Sequence, residues 1–270
     1  MSEGTQQGWL ERNFGRLSIF SFTVAIIGVL VGLLAGILYR LDFVALTTSL
    51  FMILPSGAYI AAAGTMLCLM SIAIALLLFK GEFLSKSALP VIGLIAGGIA
   101  VYIPYAQQQL GASVPPIHDI STDTSNPPKF IAVLPLREAD NAPNTAEYLV
   151  EYETRGGVLN VPEAQKKGYP DIQPVELWGL SFYEAFDLAL AAAERQGWTI
   201  VAADKEEGRI EAWDKTTFMG FIDDVVIRIT PEGIGSIVDI RSVSRVGGSD
   251  VGKNAQRIRT YVNTLKGLES

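Results

Sequence analysis

The chain has 270 residues, enough for one or two folded units, and carries a formal charge of −7 with one cysteine and one histidine. A lone cysteine permits no internal disulfide and no paired-cysteine zinc site, and a lone histidine builds no multi-histidine metal centre. The charge is unevenly placed: residues 1–112 hold five Lys or Arg and four Asp or Glu, whereas residues 113–270 hold sixteen and twenty-four. So acidic a half is a poor match for a phosphate backbone, and nucleic acid is not an expected partner.

Residues 1–112 read as an α-helical membrane region with three transmembrane helices. Leu17 to Tyr39 carries no charge and is flanked by Arg16 and Arg40. That is long enough to cross a hydrocarbon layer of about 30 Å, and longer than the apolar core of a cleaved signal peptide. Pro55-Ser56-Gly57 divides the apolar stretch 43–79, which places a second span at 57–79 and leaves Phe43 to Leu54 as an interfacial or re-entrant helix. The alternative is one long tilted helix kinked at Pro55. A third span covers about 88–108, with Tyr102 and Tyr105 at its interface-like end.

Gly28, Gly32 and Gly36 repeat every four residues, as do Gly93 and Gly97. Small residues at that spacing line one helix face and let backbones approach closely in lipid, so these five are the expected helix-packing positions. The partners implied are membrane lipid and other membrane proteins or a second copy of the chain. Arg12, Arg16, Lys80 and Lys86 fall on one side of the spans. The positive-inside bias therefore puts the amino end in the cytoplasm and the carboxyl domain outside, in the periplasm of a two-membrane cell.

Residues 113–176 begin with a polar, proline-rich stretch and then show only short apolar pieces, which suits a linker and an extended wrap. Residues 177–270 are well patterned. Ser181-Phe182-Tyr183-Glu184 has the form of a capping box and opens a helix that Gly197 ends. Trp198 to Asp204 and Arg209 to Thr216 form one hairpin, and Phe221 to Thr230 and Ile234 to Val246 a second around Pro231-Glu232-Gly233. A closing helix runs from about Asp250 to Leu265. Helix, four-stranded antiparallel sheet, helix makes an α+β two-layer domain with both helices on one face.

Most of the unusual polar residues sit near the end of this block. Gly247-Gly248-Ser249-Asp250-Val251-Gly252-Lys253-Asn254 approaches the phosphate-loop pattern, but Asn254 stands where that loop needs a Ser or Thr for magnesium. The antiparallel strands also lack the βαβ setting. The simpler reading has Ser249 or Asp250 capping the last helix. An intermediate one has the helix amino end, Lys253 and Arg257 holding an anion or a lipid phosphate. Asp223 and Asp224 are adjacent on a strand and so face opposite sides, while Arg241 and Arg245 share a side. An Asp–Arg pair across neighbouring strands is the expected arrangement, and a ligand-binding polar cluster the other. Asp223, Asp224, Arg241, Arg245, Ser249, Asp250, Lys253 and Arg257 are thus the candidate ligand-binding residues. His118, Asp119, Ser121 and Asp123 lie together in a linker-like stretch rather than on a rigid frame, which does not suit a catalytic triad. No catalytic residue, metal site or cofactor is assigned.

Gly220-Phe221-Ile222-Asp223-Asp224-Val225, Arg241-Ser242-Val243-Ser244-Arg245 and Gly248-Ser249-Asp250-Val251-Gly252 with Asn254 and Arg257 resemble a known family. Pro116-Ile117-His118-Asp119-Ile120 and Asn126-Pro127-Pro128 resemble the start of the same domain. The family is domain of unknown function fourteen-ninety-nine, found in bacteria and plants, and the resemblance covers roughly residues 115–266. It implies no established reaction. Many members carry paired cysteines ahead of the domain; this chain has none there. The sequence therefore leads to a non-enzymatic, membrane-anchored extracytoplasmic module binding a partner protein or a lipid-like or anionic ligand. The alternative is an extracytoplasmic hydrolase acting on phosphate-bearing envelope material through the same polar residues.

Overall fold

A computed structural model describes residues 3–154 and 157–269. The chain divides at Gln109 into two compact units.

The first unit is helical. α1 runs over Glu3–Arg40, α2 over Leu46–Thr48, α3 over Leu54–Leu78 and α4 over Phe83–Ser113, the last reaching into the second unit. Gly8–Arg40, Leu46–Leu78 and Phe83–Ser113 are each long and apolar enough to cross a membrane. The second of these agrees with the alternative of one long helix through Pro55 rather than with a span that begins at Gly57. The helix is continuous from Leu46, and Ser49–Ile53 forms a π turn joining α2 to α3. The wide turn ends just before Pro55, where Leu54 N–H reaches back to Ser49 O. Proline lacks an N–H and its ring crowds the carbonyl four residues earlier, and a π turn relieves that crowding without ending the helix. The buried Ser49 hydroxyl donates to Ala35 O of α1 at 2.7 Å, which fixes this first part of the span against α1.

Three of the five glycines expected to pack helices, Gly28, Gly93 and Gly97, face close neighbours within the chain. A Cβ at Gly28 would stand 2.2 Å from Ala61 N, and one at Gly64 2.2 Å from Ala25 N, so α1 and α3 meet backbone to backbone. Gly93 of α4 faces Cys68 Sγ and Gly97 faces Thr65 Oγ1, at 2.7 and 2.4 Å from such a Cβ. Gly36 is buried. Gly32 differs: its backbone lies against Gly57, but a Cβ of its own would meet nothing within 4 Å.

The second unit is built on an antiparallel sheet. Its strands are β1 (Asp119–Ser121), β4 (Val175–Leu177), β5 (Thr199–Asp204), β6 (Arg209–Lys215), β7 (Ile222–Glu232) and β8 (Gly235–Ser244). The order is β1-β8-β7-β6-β5, with β4 also paired to β8. The sheet has six strands, not four. β1 lies along Arg241–Val243 and β4 along Ser236–Val238, end to end on the side of β8 that β7 leaves free. Three-residue strands show too little alternation to be read as strands from sequence. A separate hairpin pairs β2 (Glu151–Thr154) with β3 (Gly157–Asn160), and two short helices, α5 (Leu134–Ala139) and α6 (Val161–Gly168), stand in the region expected to be extended.

α7 (Phe182–Arg195) and α8 (Lys253–Glu269) pack on one face of the sheet. The capping box at Ser181 and Glu184 is formed, and Gly197 follows α7 with φ +76°. Alternation puts Ile210, Ala212, Val225, Ile227, Val238 and Ile240 on the helical side, where they meet Phe186, Ala189, Ile258, Tyr261 and Leu265. Trp198 stacks on Tyr261, whose hydroxyl donates to Ala189 O. The opposite face is covered by residues 122–147, and here the apolar contribution is small: Phe130, Val133, Val226 and Val243. The unit is therefore helix, sheet and strap, three layers rather than two.

Candidate functional site

Asp223 and Asp224 project to opposite faces of β7, and each nucleates a polar cluster. On the helical side, Arg257 of α8 donates to Asp223 at 2.7 Å and to Asp214 of β6 at 2.9 and 3.1 Å. The same guanidinium donates to Ser242 Oγ and Asn254 Oδ1. Burial works against its charge, but Asp223 and Asp214 outweigh this and hold its pKa above the ordinary arginine value. Asn254 is buried, and its amide donates to His118 O and Ser244 Oγ. One asparagine thus ties the last helix to the strand edge and to the segment that precedes β1.

The turn before α8 is a built cap. Asp250 Oδ1 accepts from Gly252 N at 2.8 Å and Oδ2 from Asn254 N at 2.7 Å, while Ser249 Oγ accepts from Val251 N. Val251 and Gly252 have φ of 53° and 77°, and a β-branched residue at positive φ is strained unless its surroundings hold it. Burial pushes the Asp250 carboxyl up to about 6; the Asn254 and Gly252 N–H groups pull it down, Asp223 pushes it up and Arg257 pulls it down. The anion position at the start of α8 is thus occupied by the chain's own carboxylate. Lys253 is exposed, and Arg257 points inward to Asp223 and Asp214.

On the strap side, Asp224 is fully buried between Arg245 and Arg137. Arg245 also reaches Asp140, and Arg137 donates to Asn144 O. Asn144 in turn donates to Ser244 O and Gly247 O. Arg241, 2 % exposed, makes a two-point pair with Asp119 at 2.9 and 2.7 Å and donates to Pro128 O and Ala146 O. The rings of Phe130 and Tyr148 flank its guanidinium, with centroids at 5.0 and 5.3 Å. The buried Glu211 carboxylate accepts the N–H groups of Ile131, Ala132 and Val133 and pairs with Arg209. Covering charge with charge is the only inexpensive way to bury this face, because an unpaired ion there costs several kcal/mol.

The predicted site residues therefore do not converge. Asp223, Asp250 and Arg257 lie on the helical side, Asp224, Arg241 and Arg245 on the strap side, and each of these six has a partner within the domain. Asp224 and Arg245 form the expected pair between neighbouring strands, whereas Arg241 reaches Asp119 on β1. His118 has a buried Nδ1 without a hydrogen-bond partner; burial lowers its pKa, with Asp119 and the Gly248 backbone pulling the other way. Asp119 is committed to Arg241, and Ser121 Oγ donates to Asp123 O, so no triad geometry exists among them. Among the described residues no group of His, Cys, Asp and Glu is placed to hold a metal ion.

Sequence reasoning missed Arg137, Asp140, Asn144, Glu211, Arg228 and Asp239. A signal for them exists on β8, where Asp239 and Arg241 alternate with Val238, Ile240 and Ser242. Charges repeating at period two opposite an apolar face imply a second, charged cover. No curated protein matches the chain. Residues 119–265, the strap, the sheet and nearly all of α8, match the family described as Protein of unknown function (DUF1499), and the protein belongs to that family.

Proposed function

We propose that the protein is a membrane-anchored, non-enzymatic binding module whose α+β domain stands outside the cytoplasm and docks a partner of the cell envelope. One observation carries this reading: the acidic and basic side chains that a hydrolase would need in a cleft are buried as structural pairs on two faces of the sheet. A guanidinium bound by two carboxylates is unavailable to a substrate phosphate. The orientation rests on the loop charges, with Arg12, Arg16, Lys80 and Lys86 retained inside.

Native mass spectrometry of the full chain, extracted gently from its own membrane, tests the proposal. A retained protein, lipid or small molecule supports a binding role. An empty monomer that turns over a phosphate ester overturns it. For the orientation, Ser249→Cys in intact cells should react with a membrane-impermeant thiol reagent; protection until the cells are lysed would reverse the topology.

A further inference from the structure

Away from both polar clusters, the strap side of the sheet carries a cavity of about 370 Å³, in the range of small-molecule sites. Arg228 and Thr230 of β7 and Ile237 and Asp239 of β8 form its floor, with Asp123 and Asn126 of the strap and Pro174 before β4 at its rim. None of these residues is among the eight candidate ligand-binding residues named from the sequence.

The chemistry of the wall narrows the ligand. Arg228 is held through its two terminal nitrogens by Asn126 O at 2.9 Å, Asp239 at 2.6 Å and Asp123 at 3.2 Å, so its charge is met and its position fixed. One cation between two carboxylates leaves the wall slightly negative, which disfavours a phosphate. The carboxylates are also partly committed: Asp123 Oδ1 accepts Ser125 N and Asn126 N, and Asp239 Oδ1 accepts Thr122 Oγ1. Each acceptor oxygen holds about two lone pairs, so capacity remains for added hydroxyl donors but little for a full ammonium. The buried Nε of Arg228 has no hydrogen-bond partner, and Thr230 and the exposed Asn126 stand beside it. Ile237 and Pro174 add an apolar patch beside these polar groups.

The geometry points to a binding site for a neutral, hydroxyl-rich ligand the size of one or two sugar rings. Its hydroxyls meet Thr230, Asn126 and the two carboxylates, and its C–H face lies on Ile237 and Pro174. This rests on the binding-module reading and adds the ligand class and the place.

The test is saturation-transfer NMR on the full chain in phosphatidylcholine nanodiscs, which avoid sugar-headed detergents. The probes are glucose, N-acetylglucosamine and their disaccharides, beside inorganic phosphate and spermidine. At least one saccharide is expected to bind. Thr230→Val, an isosteric change on a half-exposed strand position, should weaken it by about 2- to 12-fold, the worth of one neutral hydrogen bond. Asn126→Ala should weaken it also, and Lys253→Ala should not. Absence of saccharide binding, equal binding by both pocket variants, or binding of phosphate or spermidine instead overturns the inference. A protein partner found by native mass spectrometry with no saccharide binding would overturn this site alone and leave the binding-module proposal standing.

Discussion

Arg137 on the strap helix donates to Asp224 on β7, 87 residues further along the chain, and shares that carboxylate with Arg245. One fully buried Asp thus holds two arginines from separate segments. Removing it leaves Arg137 buried without an anion and Arg245 with Asp140 alone. Asp224→Asn should cost about 3–5 kcal/mol, the typical penalty for breaking a buried pair from one side. Urea unfolding of the full chain, followed by domain fluorescence, measures it. A cost under 1 kcal/mol would mean that the pairing adds little.

The exposed pair Arg259–Asp171 gives the contrast. Asp171 accepts both Nε and Nη2 of Arg259, a bond that lowers its pKa, yet both side chains are about half exposed. Asp171→Asn should cost less than about 1 kcal/mol, and the cost should fade in about 1 M salt. The Asp224→Asn penalty should change little over the same salt range.

Asp250 makes stability depend on pH. Its carboxyl ordinarily titrates near 3.8 and is pushed up to about 6 in the fold. The folded domain therefore holds the proton more tightly than the unfolded chain. That stabilisation is complete below about pH 3.8 and is lost as pH rises through about 6. Asp250→Asn keeps one capping acceptor and never ionises, so it should gain on the wild type between pH 4 and pH 7. The gain is about 1–2 kcal/mol, after one lost hydrogen bond is set against a shift of roughly two pKa units. Parallel melting profiles for the two proteins would refute the assignment.

Glu211 anchors the strap by accepting three consecutive backbone N–H groups. Glu211→Leu leaves the Val133 N–H buried and unsatisfied, at roughly 1–3 kcal/mol, and frees the part-buried Ile131 and Ala132 N–H groups to water. The strap should then open locally before the sheet melts. Trypsin cleavage after the exposed Lys129 reports this, and should speed up in the variant at temperatures where the sheet stays folded. Cleavage only in step with global unfolding would contradict a local anchor.

In the helical unit, Gly64→Val drives a side chain into the Ala25 backbone and should cost at least about 2 kcal/mol. Gly32→Leu enters open space and should leave the melting temperature nearly unchanged. That makes Gly32→Leu a clean probe of association: a shift of the complex on a native gel, without loss of stability, would locate a partner on that face.

Local signals were legible wherever a residue acts on its own neighbours. Ser181 and Glu184 announced their helix start, Gly197 its end, and the two hairpins followed from alternation and turn residues. Long-range electrostatics were not legible. Nothing in the stretch around Asp119 says that it meets Arg241, because the match is made by β1 pairing with β8 over 122 residues. Pro55 left two readings open for a physical reason: proline breaks most helices, and only the π turn at Ser49–Ile53 shows that this one continues. The cavity around Arg228 gathers residues from the strap, from β7 and β8, and from the approach to β4, so it exists only in the folded chain.

β8 pairs with β1, β4 and β7, yet it is the last strand to leave the ribosome. Until it arrives, β1 and β4 have no neighbour and the charges of the strap face have no cover. Pairings of such sequence separation form late. A nascent chain halted before residue 235 would therefore hold a membrane region ready to insert and a domain that cannot close. A chain cut short there is therefore expected to be far more sensitive to protease than the full-length chain.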